Sequence, residues 1–480
     1  MSPLLILLIG VAVVVVMVLV LRANAFLALI SAALVVSLLA DGDLAVKGER
    51  VAQELGTAVG KIGLVITMAA IIGVCMMKSG AAEKIVISFC RALGEKRFPV
   101  ALSGSGFVLS IPVFYDTVFF LLIPLARSFY KRMRKNYILC LMAICAGAMI
   151  THTMVPPTPG PLAIASYLGI EIGHMMLFGL LVGVLLFPIG VGAAYLIDWY
   201  MPNPKIHLPA SEMDSDPENP TVDEQSQLEQ REKQLPSLGW SLLPVVLPIV
   251  LIAFGSYVGM AYKGVEPENL PSWIGVVKII GGKEIAMILA AAMAMLVYYR
   301  QKIATAEEMR KDIETALLDA GLIILITAAG GAFGTMLQLA GIGGTIETVF
   351  KSESGIAGMS VLIAAFCVAS VLKLSLGSST TAMLTASSII GAMGLTSETL
   401  GFNLAYLGLT ISCGSLVTSW MNDSGFWLTS RMAGLSETDT LKSVTVLHII
   451  VGCSGFVIIL ILSQLLPFAH FGTTSPAPLP

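Results

Sequence analysis

The sequence predicts an all-α polytopic membrane protein built from two inverted-topology repeats, each with about five spans, a re-entrant hairpin and a broken helix. Three observations predict it. Hydrophobic residues fill 56% of the 480 positions and charged residues only 12%, with a mean hydropathy of +0.87, which leaves too little polar surface for a soluble globule of this length. Long apolar runs break in the same manner twice, at Pro156-Pro157-Thr158-Pro159-Gly160-Pro161 and at Asn422-Asp423-Ser424-Gly425, with Gly160 and Gly425 265 residues apart. Paired interruptions of this kind are the best sequence pointer to a binding site in a repeat-built membrane protein. Positive charge is also segregated: twenty of the 28 lysines and arginines fall on one side of the expected topology and seven on the other, with Lys373 inside a hairpin.

A span needs roughly 20 apolar residues, and the runs at 3–21, 24–40, 58–77, 137–165, 174–198, 239–262, 283–299, 317–340, 400–430 and 444–466 are read as spans. The first is a retained span rather than a signal peptide, since Arg22-Ala23-Asn24 leads directly into the second with no small-residue cleavage site. Two stretches, 98–126 and 356–397, are too long for one span and carry Gly, Ser and Pro near their middles, which predicts hairpins. Lys78, Lys84, Arg91, Lys96 and Arg97 precede the first hairpin, and Arg127, Lys131, Arg132, Arg134 and Lys135 follow it, so both its flanks are expected in the cytoplasm. Extended along the chain, the bias predicts five spans per half, both termini on the outer side and a second hairpin entering from the outer face. An odd number of spans per half inverts one half against the other. Gly73 and Gly80 recur as Gly334 and Gly341, followed by Phe89 and Phe350, at a constant offset of 261.

The expected organisation is a first transmembrane repeat over 1–200, an acidic cytoplasmic linker over 201–237, a second repeat over 238–470 and a polar tail over 471–480. The linker is rich in Pro, Glu, Asp, Gln and Ser, a composition that stays solvated. Seven scattered cysteines, with no Cys-x-x-Cys pair, read as small buried residues rather than metal or disulfide positions. No metal site and no cofactor are expected. Basic patches interleaved with aromatics are missing, which removes nucleic acid as a partner and leaves the lipid bilayer.

Polar residues at membrane depth need a reason, and they fall into four groups. Lys373 precedes the tip of the second hairpin. A lysine near a span centre costs ~2.5–3.5 kcal/mol on insertion scales, so it binds a substrate carboxylate, forms an internal salt bridge or snorkels outward. The adjoining Gly377, Ser378, Ser379, Thr380 and Thr381 offer backbone N–H groups and hydroxyls at an expected helix start, an anion cradle. Asp116 occupies the matching region of the first hairpin. Apolar neighbours penalise a charged carboxylate, which suits a group that takes up and releases a proton; the alternative is a salt bridge, with Lys373 as a candidate partner. At the breaks, Thr151, His152, Thr158, Asn422 and Asp423 offer side-chain ligands beside unwound backbone. His152 either relays a proton or packs, and His448, on a smooth apolar helix, is read as a packing residue.

In combination the motifs resemble the gluconate permease (GntP) family of the wider ion transporter superfamily. The resemblance covers nearly the whole chain. It rests on Phe114-Tyr115-Asp116 with a Leu-rich run to Pro124, Thr151-His152, Pro156-Pro157-x-Pro159-Gly160-Pro161, Leu376-Gly377-Ser378, and Asn422-Asp423-x-Gly425-Phe426-Trp427. It implies proton-coupled uptake of a small hydroxylated monocarboxylate, such as gluconate or a related sugar acid, across a bacterial inner membrane by a homodimer working through alternating access. Family members often carry Glu, His, Arg and Pro where this chain has Asp116, Thr158, Lys373 and Ser424. Lys lacks the bidentate fork that suits a carboxylate. With the resemblance, Lys373, Gly377, Ser378, Ser379, Thr380, Thr158, Gly160, Asn422, Asp423 and Tyr115 are expected at the substrate, and Asp116 and His152 in proton coupling. A sodium-coupled organic-anion carrier is the alternative. An intramembrane enzyme is remote, since neither an H-E-x-x-H pair nor a Gly-x-Ser-x-Gly motif occurs.

Overall fold

A computed structural model describes residues 2–133, 136–201, 234–262, 271–301, 305–341 and 357–468. Nearly all of the expected acidic linker and the whole 471–480 tail lie outside these. The described residues are helical, with no strand among them, and seven helices are long and apolar enough to cross a membrane.

The first half holds α1 (Pro3–Leu19), α2 (Ala25–Leu39), α3 (Lys47–Lys78), α4 (Ala81–Leu93), α5 (Phe98–Leu109), α6 (Tyr115–Met133), α7 (Tyr137–Met154), α8 (Pro159–Leu168) and α9 (Ile172–Tyr200). The second holds α10 (Leu238–Ala261), α11 (Ser272–Ile280), α12 (Lys283–Arg300), α13 (Ala306–Leu339), α14 (Ala357–Leu376), α15 (Ser379–Gly391), α16 (Leu404–Leu416), α17 (Ser424–Ala433) and α18 (Val446–Leu465). Helices α11 and α12 meet at 61°.

Two helices begin well before their apolar runs. The sequence places span starts at 58 and 317, but α3 begins at Lys47 and α13 at Ala306. Hydropathy registers only the lipid-depth part of a helix, whereas capping sets its start. Thr305 accepts from the Glu308 amide while the Glu308 carboxylate takes the Thr305 amide, a capping box ahead of the apolar run. Lys47 donates to the Leu38 and Ala40 carbonyls at the end of α2, both at 2.8 Å, which ties the α3 start to its neighbour. The single span expected over 400–430 is instead α16, an irregular stretch and α17.

Helices α3 and α13 pack antiparallel. Lys78 Nζ lies 2.9 Å from Asp312 Oδ1 at one end, and Gly331 meets the Ala58 methyl further along. Helix α7 is apolar all round and buried on every side, as such a helix must be. It meets α5 so closely that a Cβ at Gly147 would fall 1.9 Å from the Ser103 carbonyl oxygen. Each stretch expected as a hairpin holds two helices joined by a short turn, α5 and α6 through Ser110–Phe114 and α14 and α15 through Gly377-Ser378, and α14 is itself long and apolar enough to cross a membrane. Helix α8 packs on α15, and α17 packs on α6.

The cysteine expectation is corrected in part. Cys75, Cys140, Cys145 and Cys413 are buried, but Cys367 and Cys453 are exposed, because a helix face that meets lipid is as apolar as one that meets the core.

Candidate functional site

The two breaks and the two hairpin tips meet at one cavity of about 630 Å³. Four helices begin on its wall: α6 at Tyr115, α8 at Pro159, α15 at Ser379 and α17 at Ser424. A helix start leaves backbone N–H groups without intrahelical acceptors and carries the positive end of the helix dipole. Four starts around one space favour an anion there.

Local chemistry explains each start. Ser378 caps α15 by accepting from the Thr381 amide at 3.3 Å, and Asp423 Oδ1 caps α17 by accepting from the Gly425 amide at 2.9 Å. At α8, Pro159 and Pro161 occupy the first turn, where a missing N–H costs least. The Thr158 hydroxyl donates back to the Val155 carbonyl at 2.8 Å.

The second tip and the second break are joined. Lys373 Nζ lies 2.5 Å from Asp423 Oδ2, which also accepts from the Ser419 hydroxyl at 2.5 Å. Asn422 Nδ2 and Trp420 Nε1 donate to the Leu374 carbonyl at 2.7 and 3.3 Å, satisfying an acceptor at the open end of α14. Gly377 makes the turn with φ of +72°, and a Cβ there would fall 2.1 Å from the Asn422 carbonyl oxygen, so two independent constraints require glycine. At the first tip, the Tyr115 hydroxyl reaches Cys145 Sγ at 3.2 Å and Thr429 Oγ1 at 3.3 Å, joining the hairpin to α7 and α17.

Of the residues expected at the site, Tyr115, Asp116, His152, Ser378, Ser379, Thr380 and Asp423 line the cavity. Lys373, Gly377, Thr158, Gly160 and Asn422 do not. Lys373 is 1% exposed behind Asp423, Gly160 abuts Met383, and Asn422 and Gly377 form the joint just described. Of the partners left open for Lys373 the structure shows a carboxylate of the protein itself. That carboxylate is Asp423, not Asp116. Asp116 is exposed and has no hydrogen bond or ion pair among the described residues. Thr151 and His152 belong to the last helical turn of α7, not to unwound backbone, and the Thr151 hydroxyl donates to the Phe107 carbonyl at 2.8 Å, away from the cavity. His152 Nδ1 is buried without a partner, and its ring meets the Phe114 edge at 6.3 Å between centroids.

His448, read as a packing residue, is buried with Nδ1 2.8 Å from the Val444 carbonyl oxygen, and it also borders the cavity. Helix periodicity shows that a face is apolar but not whether it meets a neighbour or a cavity. Sequence reasoning also missed the wall formed by α13, namely Leu318, Asp319, Leu322, Ile323 and Ile326. One signal was present: Asp319 is the only charged residue from 315 to 339.

The GntP family permease signature matches residues 2–466. The chain belongs to the GntP family of permeases. This GntP permease is 34% identical over 444 residues to an uncharacterized permease of Haemophilus influenzae, covering 91% of this chain and 86% of the relative. It is 30% identical to the inner membrane permease YgbN of Escherichia coli, covering 95% and 97%, and 27% identical to the gluconate permease of Bacillus licheniformis, covering 96% and 99%. Among solved structures, the GntP permease shares its fold with Neisseria gonorrhoeae MtrF, described as illuminating a class of antimetabolite efflux pumps. That match has a TM-score of 0.58 at 16% identity over 86% of this chain and 84% of the other. The YdaH transporter of Alcanivorax borkumensis matches with a TM-score of 0.59 at 12% identity, over 92% and 98%. The chain thus belongs to a family of multi-span membrane transporters.

Proposed function

We propose that this permease takes up a small hydroxylated monocarboxylate, such as gluconate or a related sugar acid, together with a proton, across a bacterial inner membrane by alternating access. The observation that carries this is the convergence of four helix N-termini on one cavity whose wall also presents Ser378, Ser379, Thr380 and Thr381. N-terminal amides and dipoles suit the carboxylate, and hydroxyls suit the polyol chain. A volume of about 630 Å³ holds such a molecule with its water.

The charges on the wall support proton coupling. Lys373 offsets Asp423, whereas Asp116 at the first tip, and Asp319 on the α13 wall, face the same space without an ion-pair partner among the described residues. An anion entering beside the Asp116 carboxylate meets a like charge, and one proton removes the repulsion, so anion and proton binding reinforce each other by linkage. His152, with its free Nδ1, is the proposed relay. In this reading Lys373 acts through Asp423, holding the second break against the second tip, while Thr158, Gly160, Gly377 and Asn422 shape the backbone.

Alternating access is supported by signs of an inverted repeat over 1–200 and 238–470. The short helices α8 and α17 stand 265 residues apart from first residue to last, and each ends on a left-handed glycine, Gly169 and Gly434. Gly80 and Gly341, after α3 and α13, likewise share positive φ. Each short helix packs on the second limb of the other half's hairpin. The proposed topology keeps both termini outside, the acidic linker and the α13 start in the cytoplasm, and a homodimer as the assembly.

Uptake of labelled gluconate and glycerate by proteoliposomes with an imposed pH gradient tests the reading. Uptake driven by an acid exterior supports it; uptake indifferent to the gradient removes proton coupling, and no uptake of any small organic acid overturns the function. The hydroxyl-rich tip would also suit sodium, and exchanging sodium for choline separates that alternative.

A further inference from the structure

The repeat relation assigns partners to the residues of the α13 wall. At the offset of 261 that links Gly73 to Gly334, Leu318, Asp319, Leu322, Ile323 and Ile326 correspond to Thr57, Ala58, Lys61, Ile62 and Val65 of α3. The α13 set lines the large cavity. Thr57, Ala58 and Lys61 line a second space of about 110 Å³ between α3, the far half of α13, and the ends of α8 and α15. Ile62 and Val65, next along the same face, are packed away at 1% and 2% exposure. One wall is open, and its counterpart is nearly closed.

Three of the five pairs keep neither polarity nor charge. Where the open wall has Asp319 the closed wall has Ala58, and where the closed wall has Lys61 the open wall has Leu322. Asp319 and Lys61 are both exposed, and neither is ion-paired among the described residues. Glu54 also faces the small space, two helical turns beyond Lys61 toward the helix start, about 10 Å along the axis. No lysine or arginine lines the large cavity among the described residues.

We propose that Lys61 and Asp319 make the two faces of the permease electrostatically unequal, so that the anion is drawn to the outward-facing site and driven off the inward-facing one. This rests on the proposed topology, in which α3 begins outside and α13 begins in the cytoplasm. The groups of the site itself, Asp116, His152, His448 and Asp423 with Lys373 behind it, belong in the proposed cycle to the substrate on either side, so they do not distinguish the sides. Only the wall changes. A cation on the outer wall lowers the outward-facing dissociation constant, and an acid on the inner wall raises the inward-facing one. Fixed wall charges leave the coupling stoichiometry, and hence the final accumulation ratio, unaltered. They change the apparent affinity on each side.

Side-specific kinetics in oriented membrane vesicles provide the test, with labelled gluconate as probe. In inside-out vesicles, Asp319→Asn should lower KM about three- to sixfold at low salt, as expected for charges roughly 8–10 Å apart in a wet cavity, and the effect should shrink at high salt. In right-side-out vesicles Lys61→Gln should raise KM by a similar factor while Asp319→Asn leaves it unchanged. Asp319→Glu should behave as the native chain. Equal effects on both sides, or none on either, would overturn the proposal. A second readout does not depend on substrate: the ratio of modification rates by cationic and anionic thiosulfonate reagents at Leu322→Cys and at Thr57→Cys, both exposed on their walls. The cationic reagent should be favoured at Leu322→Cys and the anionic one at Thr57→Cys, and Asp319→Asn and Lys61→Gln should each abolish the local preference. Ratios near those in solution at both positions also sink the idea. Were gluconate not carried at all, the proposed function would fall while these ratios still decided the charge asymmetry.

Discussion

Lys373 Nζ and Asp423 Oδ2 lie 2.5 Å apart, joining the last turn of α14 to the N-cap of α17 across 50 residues of sequence. The lysine side chain is 1% exposed and the carboxylate 11%, on the cavity wall, so the ammonium is the more deeply enclosed of the two charges. The pair couples the second hairpin tip to the second break, and both border the cavity.

The first prediction follows from that enclosure. Removing one partner strands a buried charge, which costs on the order of 3–5 kcal/mol, whereas neutralising both leaves no stranded ion. Lys373→Met and Asp423→Asn should each lower the melting temperature in detergent sharply. The double variant Lys373→Met with Asp423→Asn, which keeps an oxygen for the Gly425 amide, should be more stable than Lys373→Met alone. A double variant as unstable as the sum of the singles would contradict the pairing.

Gly377 supplies a second prediction. Its left-handed backbone and its approach to the Asn422 carbonyl leave no room for a Cβ. Gly377→Ala should destabilise by more than the ~1 kcal/mol that the left-handed conformation alone costs a non-glycine residue. Gly394 also has positive φ, but nothing lies within 4 Å of where its Cβ would sit, so Gly394→Ala should cost only the conformational part. Thermal unfolding of the two variants side by side reads the difference.

Asp116 and His152 give a third. Asp116→Asn should retain exchange of labelled for unlabelled gluconate across the membrane but lose the response of uptake to a pH gradient, since exchange needs no net proton movement. His152→Gln should slow gradient-driven uptake while leaving exchange closer to normal. Loss of exchange in Asp116→Asn would make the carboxylate a substrate ligand rather than the proton carrier.

Much of this fold was legible because bilayer burial writes itself into composition. The hairpins at 98–126 and 356–397 showed as apolar stretches too long for one crossing, and the breaks showed as prolines and an Asn-Asp pair where a helix cannot continue. Helix starts were less legible: α3 and α13 begin in polar segments that hydropathy does not weigh. Within the site, the tip residues and Asp116 were found because a polar residue at membrane depth is conspicuous. The partner of Lys373 was not: Asp116 was the carboxylate weighed against it, and the approach of Asp423, 50 residues away, shows only in three dimensions. His448 and the α13 wall escaped for a related reason. An apolar helix face reads the same whether it meets a helix, lipid or a cavity, and only Asp319 breaks that uniformity.

The most direct test of a coupled anion and proton site is the movement of both together. Proteoliposomes carrying a trapped pH-sensitive dye should acidify inside when gluconate is added outside with no gradient imposed, at a rate that tracks uptake of the label. Protein-free liposomes and the Asp116→Asn variant should show no such acidification. Gluconate entry without acidification by the native chain would contradict proton-coupled uptake at this site.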